Sequence, residues 1–260
     1  EARRRGNGPL AHPVYACMKH PATAALLFGA LSTGCVVTVD SHSEVLREEI
    51  RFPVSGIADV RVATFDGSIR VQSWDKPEVL VEIEKHGPSK EALAGLVVSA
   101  THTGNVIELE VKRPRSESFS GLGIHRSANA RLIVSVPRST NVRARTGDGP
   151  IEIERVNGKL ELRSGDGSIR ASEISGEVTV DTGDGSVTVT EAEGRLAVDT
   201  GDGSISVSGK LDVVKLHTGD GSVAYRASPG SMMSDNWEIT TGDGTVSLYL
   251  PAEFSGRIDA

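Results

Sequence analysis

Six aspartates, each held between two glycines, recur along the second half of the chain. They are Asp148, Asp166, Asp184, Asp202, Asp220 and Asp243, and each follows a hydroxyl residue two places back: Thr146, Ser164, Thr182, Thr200, Thr218 and Thr241. The spacing is 18 residues four times and then 23. If equivalent residues stack, the carboxylates form one column, and unit charges about 5 Å apart repel by less than ~1 kcal/mol per pair in water. A divalent cation would relieve that repulsion, as calcium does at other glycine-rich turns. Calcium repeats of that kind recur about every nine residues with paired acidic turns, whereas this repeat carries one such turn. The other reading is an Asx turn, in which each carboxylate accepts N–H groups of its own backbone. No cofactor is expected, and calcium is the one ion the column would admit.

Two further sets of side chains bear on chemistry. After each turn the outward positions read Arg170, Thr188, Ser206, Ala224 and Ser247, with Ser172, Thr190, Ser208, Arg226 and Tyr249 beside them. Within this flat array of small polar groups, Arg170, Thr188, Thr190, Ser206, Ser208, Arg226 and Tyr249 are the candidate binding face for a surface glycan or a partner sheet. Before each turn, Arg163, Asp181, Asp199 and His217 mix signs, and cross-strand ion pairing accounts for them. Arg163 beside Asp181 and Asp199 is the nearest approach to a polysaccharide-lyase site. The chain has no His-Glu-x-x-His, Cys-x-x-Cys, Gly-x-Ser-x-Gly or phosphate-binding loop motif. No catalytic residue and no enzymatic activity are assigned.

The elements that must carry these groups follow from the residues around them. In the third copy, Val178, Val180 and Thr182 alternate with polar residues, and Val187 and Val189 do so after the glycines. Period-two alternation in a β-branched run predicts half-buried strands. The Gly-Asp-Gly turn is expected to supply backbone freedom at positive φ. A second turn falls at Asn157-Gly158, Ser175-Gly176 and Glu193-Gly194. Equal spacing favours a coil over a meander of hairpins, because like residues then stack about 4.8 Å apart. The prediction is an all-β parallel β-solenoid (β-helix) with coils of about 18 residues and an N-terminal β capping region. Leu160, Val178, Leu196, Leu216 and Ile239 would line one inner wall, and Ile151, Ile169, Val187, Ile205, Val223 and Val246 the other. The preceding hydroxyls would form a ladder at the corner.

The first part of the chain reads differently. Residues 1–17 are Arg/Gly/Pro-rich and aperiodic, and are expected to be an upstream extension before a natural start at Met18. Residues 18–34 have the grammar of a lipoprotein-type signal: Lys19, a short apolar run, then Leu31-Ser-Thr-Gly before Cys35. That makes Cys35 the expected lipidation site, and residues 35–49 a tether. Cys17 lies upstream, so the mature chain would hold no internal disulfide. Residues 50–137 form an N-terminal β region that opens the solenoid, with a short helix near Ser89 to Leu96, and residues 138–260 are the repeats. Phe65-Asp66-Gly67-Ser68-Ile69 is a degenerate copy of the repeat phrase. The Ser/Gly/Arg-rich stretch 112–129 is expected to be a loop. The net charge is −7 and aromatics are 4%, a balance that lacks both the phosphate-binding charge and the stacking platform of a nucleic-acid binder.

Taken together, the signal, the Val136-Pro137 to Val142 step and the repeated Thr-Gly-Asp-Gly-Ser-Ile/Val coils resemble the bacterial putative-adhesin family over about residues 50–260. That resemblance implies a β-helical domain of unknown function in the cell envelope, with no assigned catalysis; some relatives sit near envelope-stress signalling genes. The expected role is a non-enzymatic, lipid-anchored adhesin-like interaction or scaffold module, exported to the outer membrane, periplasm or cell surface. Its partners would be the membrane, through the anchor, and a surface glycan or envelope protein. The opposed readings are a carbohydrate-active β-helix enzyme and a signalling lipoprotein that binds another envelope protein.

Overall fold

Strand after strand in the repeat region lies parallel to the equivalent strand of the next coil. The computed structural model describes residues 44–113 and 128–259. Cys35, the signal, most of the tether and most of the 112–129 stretch lie outside the described residues.

The repeats begin with β8 (Thr140–Thr146) and β9 (Ile151–Glu154), joined through the first Gly-Asp-Gly corner. There follow β10 (Asn157–Ser164) and β11 (Ile169–Ser172), then β12 (Ser175–Thr182). β13 (Val187–Thr200) and β14 (Ile205–Thr218) each run unbroken through the second turn, and β15 (Val223–Ala227), β16 (Glu238–Thr241) and β17 (Val246–Tyr249) end the series. On the first wall Leu160 pairs with Val178, Val178 with Leu196 and Leu196 with Val214. On the second wall Ile151, Ile169, Val187, Ile205, Val223 and Val246 stand in register, as expected. One column needs correcting: Leu216 and Ile239 do not continue from Leu196. They continue Leu162, Val180 and Val198, because each wall carries more than one inward column and a register irregularity separates Gly194 from Arg195. The inward residues of both walls form one hydrophobic core, as the alternation of small β-branched residues requires.

The N-terminal strands build further layers out of chain order. They are β1 (Glu44–Pro53), β2 (Ala58–Thr64), β3 (Ile69–Trp74), β4 (Glu78–Gly87), β5 (Val97–Thr103), β6 (Val106–Lys112) and β7 (Asn129–Pro137). The degenerate copy around Asp66 joins β2 to β3 and sits directly on the first full repeat, with Thr64 beside Thr146 and Ile69 beside Ile151. β6 and β7 lie parallel on the other side of that layer. Beyond them the pairing turns antiparallel: β5 on β6, β4 on β7 and β1 on β4. The short helix α1 (Lys90–Ala94) starts where Ser89 accepts a hydrogen bond from the Ala92 N–H, and it buries Leu93.

The corner glycines serve a purpose other than the expected one. None of the glycines in the six full Gly-Asp-Gly turns has positive φ. They are needed because successive corners touch. A Cβ on Gly185 would stand 2.2 Å from the Gly167 carbonyl oxygen, and one on Gly203 2.1 Å from that of Gly185. In the repeats positive φ belongs to the second turn, at the non-glycine residues Arg155 (57°), Glu173 (52°) and Glu191 (54°) and again at Gly158 (153°), Gly176 (113°) and Gly194 (101°). A residue with a Cβ pays roughly 1–2 kcal/mol for that conformation. The apolar residue after each, Val156, Ile174 and Ala192, is buried and holds the turn against the core.

Candidate binding faces

At the corner the hydrogen bonds run through the hydroxyls. Thr182 Oγ1 donates to the Gly167 carbonyl at 3.0 Å, Thr200 to Gly185 at 3.0 Å and Thr218 to Gly203 at 2.8 Å. Thr146 donates to Gly67 at 2.8 Å, which extends the ladder into the degenerate copy. The same oxygen accepts from its own turn, as where the Gly167 N–H donates to Ser164 Oγ at 3.0 Å. The side chains are buried; Thr218 has no exposed surface. A buried hydroxyl in this place satisfies one donor and one acceptor that the turn would otherwise leave open.

Asp148, Asp166, Asp184, Asp202, Asp220 and Asp243 form the exposed column at the apex of these turns. Each of the first five carboxylates leans toward the first glycine of the next coil; Asp166 Oδ1 would lie 3.0 Å from a Cβ on Gly183. Among the described residues, no group of three or more His, Cys, Asp or Glu side chains is placed to hold a metal ion.

The candidate face after the turn lies on the outside of the second wall. Arg170, Thr188, Ser206, Ala224 and Ser247 stand in register, one per coil. In the adjacent column Ser172 pairs with Thr190, and Ser208 with Arg226 and then Tyr249. The ladder breaks between these two groups, since the register shifts after Val189. The Arg226 guanidinium stacks 4.5 Å from the centre of the Tyr249 ring, a cation–π contact on an exposed surface.

The outside of the first wall carries most of the organised charge. Reading along each strand, the rows are Asn141, Arg143, Arg145; Lys159, Glu161, Arg163; Glu177, Thr179, Asp181; and Arg195, Ala197, Asp199. Glu161 receives three guanidinium groups: Arg143 at 2.8 Å, Arg145 at 2.9 Å and Arg163 at 3.2 Å. Its carboxyl is held below the usual carboxylate range, Arg145 being the largest cause, with partial burial opposing. Cross-strand ion pairs do form on this wall, Arg143 and Arg145 to Glu161 and Lys159 to Glu177 at 3.0 Å, but not among the four residues for which they were expected. Arg163 turns along its own strand to Glu161 instead of across to Asp181, and neither Asp181 nor Asp199 has a cationic partner among the described residues. His217 instead bonds Thr240 through Nδ1 at 2.8 Å. Sequence reasoning named the charges of this wall but missed Glu161 as their hub; the residue falls on the outward alternation of β10, two places from both Lys159 and Arg163.

Fold and faces together define an all-β protein of stacked, solenoid-like coils. The family model for Toastrack DUF4097 matches residues 57–260, and the chain belongs to that family, whose function is unknown. Among solved structures, it is similar to a putative cell adhesion protein from Clostridium sporogenes, at 14% identity over 79% of this chain and 99% of that one, with a TM-score of 0.41. It is also similar to a putative adhesin from Bacteroides fragilis (12% identity, 79% and 96% covered, TM-score 0.36). A putative lipid binding protein from Parabacteroides distasonis is a third (14%, 78% and 96%, TM-score 0.33). No curated protein matches the chain.

Proposed function

We propose that this protein is a non-enzymatic binding or scaffold module of the bacterial envelope, exported by residues 18–34 and anchored through a lipid on Cys35. The observation that carries the binding role is the repetition of one outward position per coil, from Arg170 through Thr188 and Ser206 to Ser247. Thr188 and Ser206 on adjacent coils about 4.8 Å apart, with Ser247 two coils farther on, present small polar groups at a regular spacing that suits a ligand itself extended and repetitive, such as a glycan strand. Arg226 and Tyr249 add a planar stacking surface at one end of the face, the kind of side-chain pair that holds sugar rings and polar chains. Rigid presentation also lowers the entropy lost on binding.

A glycan and peptidoglycan array probed with the chain tests this reading. Binding that is lost in the Thr188→Lys/Ser206→Lys variant, with its circular dichroism unchanged, is the expected result. Binding that survives in that variant, or silence across the array, would overturn the assignment to this face. Retention of a Cys35→Ala variant in the membrane fraction of the host would remove the anchor.

A further inference from the structure

The charged wall has a symmetry that its pairwise contacts conceal. Arg145 and Arg163 occupy two consecutive rows of one column, and Asp181 and Asp199 the next two. The two arginines share a single carboxylate with Arg143, so the first half keeps surplus positive charge. The two aspartates have no cation among the described residues, so the second half keeps surplus negative charge. The column of Asn141, Lys159, Glu177 and Arg195 does not share this order, and within it Lys159 is already paired with Glu177 of the same chain at 3.0 Å.

We infer that this face is an interface between two copies of the chain, packed face to face about a two-fold axis that lies along the strands between the Arg163 and Asp181 rows. Such an axis reverses the order of rows and leaves each column opposite itself. Arg163 then meets Asp181 of the second copy, and Arg145 meets Asp199. Each contact occurs twice, because an isologous interface repeats every pair. The row pattern of two positive and two negative charges is its own complement under this operation. Thr179 and Ala197 lie opposite Glu161 and Arg143, and their small side chains leave room for the longer ones. Farther out Arg61 would approach Lys215, but Arg61 is already paired with Asp59 at 3.0 Å and Glu108 at 2.6 Å.

The face is also large enough. Six strands, β2, β8, β10, β12 and the matching halves of β13 and β14, at about 4.8 Å spacing and some 25 Å of length give roughly 700 Å² per copy, close to the ~800 Å² of a standard interface. Complementary charge of this kind sets register and excludes wrong partners more than it adds affinity. The dimer is therefore salt-sensitive.

Sedimentation velocity of the full chain, with reductant present, tests the inference. The wild type is expected to sediment as a dimer at about 50 mM salt and to weaken roughly tenfold or more at about 500 mM. Arg145→Asp/Arg163→Asp makes the column wholly acidic, and Asp181→Arg/Asp199→Arg makes it wholly basic. Each variant alone is expected to be monomeric, and an equimolar mixture to form a heterodimer. A monomeric wild type at low salt, a variant that dimerises alone, or a mixture that stays monomeric would each overturn it. Circular dichroism checks that the variants fold. The single exchanges Arg163→Asp and Asp181→Arg, mixed in the same way, serve if a double variant does not.

Discussion

Alanine at position 185 would bring a methyl group 2.2 Å from the Gly167 carbonyl oxygen, with the Thr182 hydroxyl at 2.7 Å. Neither neighbour is the free end of a flexible side chain, so the two corners must separate and the hydroxyl ladder opens. Gly185→Ala is expected to lower stability by about 3 kcal/mol. Asp184→Ala, one residue away, changes an exposed side chain at the apex and is expected to stay within about 0.5 kcal/mol. Urea unfolding of the two variants measures the contrast. The reverse ordering would mean that the carboxylate, and not the glycine, organises the turn.

Among strands, the same inward position has a different worth from coil to coil. Ile169 is fully buried with Ile151 on one side and Val187 on the other. Val246 holds the equivalent place in β17 and is 43% exposed, since among the described residues β17 pairs with β15 alone. Ile169→Ala is expected to cost about 3 kcal/mol through lost burial and the cavity left behind. Val246→Ala should cost under ~1 kcal/mol, because much of the side chain already meets water. Unfolding midpoints of both variants check this gradient. Equal losses would show that another element covers β17 in solution. The second turn has its own logic: Glu173 and Glu191 hold left-handed backbone without being glycine, a conformation kept by the burial of Ile174 and Ala192 beside them.

Over the whole molecule each coil touches its two neighbours, so stability is a sum of local terms and nearest-neighbour contacts. Local opening should then begin at the last coil and reach the middle last. Amide hydrogen exchange is expected to be fastest in β16 and β17 and slowest in β12 and β13. Uniform protection from β8 to β17 would instead mark the solenoid as one cooperative unit. The layers made from residues 44–113 and 128–137 belong to the same core, although the chain visits them out of order. Closing the long loop from β3 to β9 costs entropy that grows only slowly with its length, so this order is no bar to stability.

Much of this was legible in the sequence, because a repeat states its own neighbours. Equal spacing puts Ile151, Ile169 and Val187 in one column, and the degenerate phrase at Asp66 marks the N-terminal strands as part of the same solenoid. Alternation gave the inner and outer faces, and with them the hydroxyl ladder and the candidate polar array. Three things were left to the tertiary structure. The glycines of the corner answer to a carbonyl oxygen one coil away, a contact that no local preference encodes. The layer order at the N-terminal end depends on which edges are free to pair once the chain has folded back. The ion pairs of the first wall depend on rotamers: Arg163 chooses Glu161 along the strand over Asp181 across it, and so leaves Asp181 and Asp199 exposed and without a cation among the described residues.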